Sequence, residues 1–559
     1  MKKVKKLINI KLKYIISALV ILFSAFTHTA SAEFILLKDG TVLEGSVMVD
    51  FFNNGVVDFK QKDGTKKVLY GKEIEKIYPD DDFKIKRTIT KKDGTSLEGH
   101  IVYEGWFRYL VKKDLAIREE IEIAKSDVKS MDPPAKIQGE MSQETISKKK
   151  EGWYFTGFPV VAYSSDYGFR GGARIYFYEN WERDDKYFEK TPYGIQTYAQ
   201  FSASTTGLIE GHINFDYHHV GGTWLRIKAL VEYDQNPNAN YYGNGNNTTA
   251  MPLTDVNGRY YYTSDTYKDF LYKNNYQYFK YNKYEYIIPK FSIDFIGDFG
   301  FPIKPLLGYQ FKWSEIKSWD NRYFQVNGNT ITTPAPSTLL SIEKPLGFNG
   351  DTGGVTGGIT SVVRAGVAFD TRDFEPDPHE GFLIDYAFEG ATYVFGSQYN
   401  YFRNTFGFRF YTTWFNTLTF AMRLAYVASS DGIPFYEMGY FGFLFDRQEG
   451  LGGEKTLRGF PQWRFMGRGM TLANLELRYR FIDFIIFNQR IAFKLLAFVD
   501  AGNAYTEAVE AFTKPRFENY KLVYGVGGLF TWNQSTVAHL YLGFSSEDIG
   551  FYINFSQAF

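Results

Sequence analysis

From Gly152 to Phe559 the chain is a run of short segments in which apolar and polar residues alternate, broken by turns rich in glycine, asparagine and proline. Alternation at period two is what a strand with unlike faces requires, because successive side chains point to opposite sides. In the last segment Phe551, Ile553, Phe555 and Phe559 fall on one face and Tyr552, Asn554, Ser556 and Ala558 on the other. Beyond Ala32 no run approaches the roughly 18 apolar residues of a membrane helix. Yet 19% of the chain is aromatic, with 43 Tyr and 53 Phe, and the mean hydropathy is −0.30. These properties together describe an antiparallel barrel whose strands set apolar residues against lipid and polar residues against a wet interior.

Alternation and turn signals mark about sixteen strands, from 156–164 at the start to 549–559 at the end. The parity of the count is testable within the sequence. If the first strand runs outward, the long connections 235–277, 316–361 and 429–469 all lie on the outer side, while Gly221-Gly222 and Phe415-Asn416 mark tight turns on the inner side. Outer-membrane barrels have this asymmetry of loops and an even strand number.

The N-terminal part is built differently. Residues 1–32 read as a secretory signal: lysines at 2, 3, 5, 6, 11 and 13, an apolar stretch from Ile15 to Phe26, and Ala30-Ser31-Ala32 as a small-residue cleavage site. The chain has no cysteine, which excludes a lipobox anchor, disulfides and zinc–thiolate sites. Residues 33–134 hold a duplication. Lys38-Asp39-Gly40-Thr41 with Glu44-Gly45 recurs as Lys92-Asp93-Gly94-Thr95 with Glu98-Gly99, and Tyr78-Pro79 aligns with Asp132-Pro133. Asp-Gly between β-rich runs marks a tight turn. Each repeat is expected to form about five short strands, a small SH3-like β-domain, and the pair to lie in the periplasm. The polar stretch 135–152 reads as a linker to a barrel of 153–559.

Within the barrel one constellation of charges stands out. Asn474, Glu476 and Arg478 share the inward face of one strand, and Lys494 and Asp500 that of the next. Two carboxylates confined in a lumen repel each other unless a cation lies between them. Arg458, followed by Gly459 and Phe460 in the preceding glycine-rich loop, is the candidate, since its planar fork can serve two carboxylates at once. Spacing alone equally allows Arg458 to be a solvated loop residue.

Several stretches, in order along 156–559, resemble the BamA/TamA superfamily of outer-membrane assembly factors. Phe158-Pro159 through Gly168 is similar to its first barrel strand, and Asp370-Thr371-Arg372-Asp373 with Pro376 and Gly381 to a family turn. Pro434-Phe435-Tyr436, Leu451-Gly452-Gly453 and Leu457-Arg458-Gly459-Phe460 resemble its sixth-loop signature, and Asn474-x-Glu476-x-Arg478 and Phe498-x-Asp500-x-Gly502 the wall strands receiving that loop. The resemblance implies an outer-membrane barrel whose inserted sixth loop is locked by Arg458, Gly459 and Phe460 on Glu476 and Asp500. It implies a seam between first and last strands, loosened by Gly157, Gly168, Gly171 and Gly172, and a terminal Phe559 read as an insertion signal by the assembly machinery during the chain's own insertion. It further implies a role in inserting or translocating client polypeptides, with lipid as the surrounding partner and residues 33–134 as a surface for clients or a periplasmic partner. Two departures from the family pattern remain. The duplicated all-β region lacks the helices of POTRA modules, and the segment between Tyr436 and Leu451 is longer than typical. They carry a second expectation, a surface barrel with a structural or ligand-binding role, or a passive pore.

Other patterns point to no chemistry. Adjacent strand residues His218 and His219 face opposite ways and, with His212, make no metal site. The glycines of 351–358 lack the lysine and the strand–helix setting of a phosphate loop. The tyrosines of 260–286 read as loop and interfacial girdle. A net charge of +0 gives no sign of nucleic-acid binding, and neither a cofactor nor an enzymatic activity is expected.

Overall fold

The structure, a computed structural model, describes residues 33–133 and 151–559 apart from short stretches, the longest at 50–55 and 349–355. The expected signal (1–32) and most of the expected linker lie outside the described residues, as do Asp373, Pro376 and the Phe415-Asn416 turn; Gly152 already opens the first barrel strand.

The N-terminal unit holds two five-stranded antiparallel sheets. The first is built from Glu33–Leu37, Val42–Val49, Val56–Gln61, Lys66–Tyr70 and Ile74–Tyr78, the second from Lys86–Lys91, Ser96–Glu104, Arg108–Lys112, Ile121–Ala124 and Val128–Asp132. In both sheets the opening strand pairs with the second and the fifth, so the duplication in sequence is a duplication in topology. The three Asp-Gly turns are alike: Thr41, Thr65 and Thr95 each donate a backbone N–H to the aspartate two residues earlier, at 2.9, 2.8 and 2.8 Å. Gly40, Gly64 and Gly94 take φ of 87°, 90° and 87°, which side-chain-bearing residues rarely adopt. Ile35 and Ile89, at equivalent positions, are both fully buried. A separate cluster of Phe34, Leu36, Tyr78, Phe83 and Val102 joins the two repeats, with the Tyr78 and Phe83 rings stacked at 3.8 Å.

From Gly152 to Asn554 sixteen antiparallel strands close into a barrel in sequence order. The count of sixteen matches the alternation in the sequence, and the twelfth strand, Gly469–Ile486, shows why. Asn474, Glu476 and Arg478 are no more than 1% exposed, whereas Leu475, Leu477 and Tyr479 are 40%, 41% and 47% exposed on the outer face. The connection after the fifth strand (Leu225–Asn240) contains a helix, Ser264–Lys273, that the tyrosine pattern concealed. Its start is capped by the Thr263 hydroxyl, which accepts the Thr266 N–H.

The end of the chain departs from expectation. The sixteenth strand stops at Asn554, and Phe559 does not continue its outward face. Its ring is buried inside the barrel, 6.4 Å from that of Tyr411 and beneath the guanidinium of Arg423 at 4.9 Å; Arg478 Nη2 donates to its carbonyl at 3.2 Å. Alternation ceases to predict a face once the strand ends. Closure is correspondingly brief. Among the described residues the first strand (Gly152–Ser164) pairs with the sixteenth (Ile549–Asn554) through Tyr163↔Ile553 and Ser164↔Tyr552 alone, against thirteen pairs with the second strand (Gly168–Asn180).

Candidate functional site: the inserted sixth loop

The connection 430–468, between the eleventh strand (Leu418–Ser429) and the twelfth, folds into the barrel. Phe441, Phe443, Leu451, Leu457, Phe460 and Phe465 are each at most 1% exposed, so the loop carries an apolar core in with its polar backbone. It doubles back on itself: Gly453 N–H donates to the Phe460 carbonyl at 2.9 Å, and Leu451 bridges to Phe465. Gly452 makes this reversal, with φ of 111° and the Pro461 carbonyl in the place of a Cβ.

Arg458 sits at the tip, fully buried. Its Nε and Nη2 donate to the two oxygens of Asp500 at 2.9 and 2.7 Å, its backbone N–H reaches Asp500 Oδ2 at 3.2 Å, and Nη1 pairs with Glu476 Oε1. Asp500 is on the thirteenth strand, Gln489–Tyr505. The other oxygen of Glu476 accepts from Arg478 Nε at 2.8 Å, and Asn474 donates to both Asp500 Oδ1 (2.7 Å) and the Thr456 carbonyl (2.8 Å). Two carboxylates are thus shared between two guanidinium groups with well-formed hydrogen bonds, the condition under which buried charges are tolerated. The Phe498 ring lies 3.6 Å beneath the Arg458 guanidinium.

The first half of the loop holds residues that sequence reasoning missed. Glu437 is fully buried, paired with Lys312 and Arg447, and Arg403 Nη1 donates to its carbonyl at 2.7 Å. Arg403 also pairs with Glu389, which Arg364 approaches at 3.5 Å while holding Asp294 at 2.8 Å. The extra length between Tyr436 and Leu451 forms a hairpin, Tyr440–Gly442 with Arg447–Glu449. Leu444 at its tip packs among Ile296, Leu306, Ala368, Leu383 and Ala387, inward residues of the sixth to ninth strands. Inward charges at period two on adjacent strands were the available signal; which loop residue they met was not readable.

The remaining expected sites fall apart from this loop. Arg372 forks onto Asp370, with Nε and Nη2 both at 2.9 Å from its oxygens, and Gly381 at φ 97° sits where a Cβ would meet the Thr371 carbonyl. Of the four seam glycines only Gly157 lies on the first strand. Gly168 opens the second strand at φ 69°, and Gly171 and Gly172 pair with Val161 and Val160 from within it. Gly168, Gly171 and Gly172 thus belong to the strand that neighbours the seam's first edge. His218 meets the edge of Tyr193 and His219 stacks on Tyr187, and among the described residues no cluster suits a metal ion.

No curated protein sequence matches. Among solved structures, BamA from Haemophilus ducreyi lacking POTRA domains 1–3 is 13% identical, with 73% of this chain and 71% of that one covered and a TM-score of 0.43. CdiB from Acinetobacter baumannii is 12% identical over 73% of this chain and 60% of that one (TM-score 0.37), and CdiB from Escherichia coli 10% identical over 72% and 63% (TM-score 0.40). Residues 134–194 match a domain of unknown function (DUF5982). Residues 222–546, which contain the sixth loop and both strands that receive Arg458, match the Omp85 superfamily domain, and the chain belongs to that superfamily of outer-membrane barrels.

Proposed function

We propose that this protein inserts or translocates polypeptides at the outer membrane, working through the seam between its first and sixteenth strands. The observation that carries this reading is the brevity of that seam, two ladder pairs among the described residues against thirteen in the adjoining hairpin. Parting it frees a strand edge whose N–H and C=O groups can pair with an incoming strand. Arg458 with Glu476 and Asp500 holds the sixth loop against the far wall, so the barrel keeps its shape while the seam yields. The N-terminal unit, placed in the periplasm in this reading, offers edge strands to clients or to a partner.

A surface barrel with a structural or ligand-binding role is the second reading, favoured by the two all-β sheets of the N-terminal unit. The passive-pore form of it is disfavoured by the loop packed through the lumen. Depletion separates the two: insertion or translocation requires that levels of other outer-membrane or secreted proteins fall. If every such protein stays at its normal level, the insertion reading fails.

A further inference from the structure

Among the described residues the seam has two ladder pairs, and both of its margins are also tied to a third element. On the first margin Asp166, in the turn leaving the first strand, accepts the backbone N–H of Gln462 at 2.8 Å. On the other margin Arg464 Nε donates to both oxygens of Glu547, at 2.8 and 3.0 Å, and the Gly459 carbonyl accepts from Ser545 Oγ at 2.8 Å. Ser545 and Glu547 form the turn between the fifteenth strand, Thr536–Phe544, and the sixteenth. Asn554, the last residue of the closing strand, donates to Glu454 Oε1 at 2.9 Å and accepts from Arg170 Nη2, on the second strand, at 3.2 Å. Residues 454–464 of the sixth loop therefore touch both margins at the one end where the ladder is formed.

A clasp must be anchored to something other than the parts it joins. The sixth loop meets this condition, because Arg458 is fixed to the twelfth and thirteenth strands on the opposite wall. The connection after the fifth strand adds a second hold on the closing hairpin, with Ser264 N–H donating to the Glu547 carbonyl at 2.7 Å and Lys268 lying 3.8 Å from Asp548.

Resting on the reading that the seam parts, we infer that residues 454–464 are a clasp that sets how readily it does so, through Gln462–Asp166 on one margin and Arg464–Glu547 on the other. Among the described residues the clasp bonds share the work of closure with two ladder pairs and with Ser165, whose backbone N–H donates to the Phe551 carbonyl at 3.0 Å and whose Oγ accepts the Phe551 N–H at 2.8 Å, so removing the clasp raises the population of the parted state without unfolding the barrel.

Amide hydrogen exchange of the purified full chain in lipid nanodiscs tests this, because protection of the seam amides reports even a rare opening. Asp166→Ala and Glu547→Ala, singly and together, should speed exchange in peptides covering 160–168 and 549–555 by about fivefold for each bond lost. Peptides from the eighth and ninth strands should be unchanged. Asp166→Asn keeps an acceptor oxygen for the Gln462 N–H and should retain protection. Unchanged seam exchange in the folded double variant overturns the clasp, as does equal acceleration of every strand. Faster seam exchange with normal levels of other outer-membrane proteins on depletion leaves the clasp standing and removes the insertion reading.

Discussion

The carbonyl of Arg458 rests directly on Gly550, at a place where any Cβ would overlap it; Gly543, the register partner of Gly550 across the last two strands, is bare for the same reason. Arg458 is therefore held from two sides. Its guanidinium is bound by carboxylates of the twelfth and thirteenth strands, and its backbone lies on a floor made by two facing glycines of the fifteenth and sixteenth. The tip of the sixth loop thus links the far wall to the strand that closes the barrel.

This relationship predicts a contrast between glycines. Gly550→Ala should destabilise the barrel by about 1–3 kcal/mol, because the contact is with backbone that cannot turn aside. Gly171→Ala meets only the edge of the Phe169 ring, at 3.8 Å, and should be neutral or slightly stabilising. The temperature at which the folded barrel loses its faster gel migration measures both.

Arg458→Ala leaves Glu476 with Arg478 alone and Asp500 with the Asn474 amide as its remaining described side-chain donor. Removing one partner from a buried charge network costs about 3–5 kcal/mol, and heat-modifiability should fall accordingly. Arg458→Glu combined with Asp500→Lys should recover part of the loss, since two of the three guanidinium bonds of Arg458 go to Asp500. Wild-type melting of Arg458→Ala would contradict the energetic weight given to the constellation.

How far this site was legible follows from the range of each signal. Strand faces were readable because period-two alternation is local, and that placed Glu476 and Asp500 inward on neighbouring strands before any geometry was known. The family motif supplied Arg458. Glu437, Arg447 and Glu547 escaped because a loop residue has no face until the loop is packed, and Glu437 and Glu547 also reach partners far off in sequence, Lys312 and Arg464. Phe559 was misplaced by extending alternation past the last ladder bond. The helix at Ser264 was hidden by tyrosines, although Thr263 before an acidic first turn was a readable cap.

In the N-terminal unit Tyr78 joins the repeats: its ring stacks on Phe83 and its hydroxyl lies 3.5 Å from the Val102 carbonyl. Tyr78→Ala removes a large side chain that is 8% exposed, at a cost of about 3–5 kcal/mol by analogy with other buried aromatic truncations. Limited proteolysis of the full chain should then cut within 33–133 at lower protease concentration, while the barrel stays resistant. Unchanged cleavage would mean that each repeat stands without the other.

The hairpin of residues 440–449 is the part of the sixth loop that goes furthest into the lumen. Leu444 N–H donates to Asp385 Oδ2 at 3.0 Å, and Arg364 Nη2 donates to the carbonyls of Phe443 and Leu444 at 3.3 and 3.1 Å. These bonds hold the tip where Leu444 packs on the inward apolar residues Ile296, Leu306, Ala368, Leu383 and Ala387, so the hairpin fills the lumen there. Replacing 440–449 by a short Gly-Ser link should leave Arg458 and its carboxylates in place, because the bonds of the tip come from residues 456 and beyond. It should also convert a closed barrel into one with steady conductance in planar bilayers. Equal conductance with and without the hairpin would show that the seal lies elsewhere, in the segment from Leu451 to Phe465.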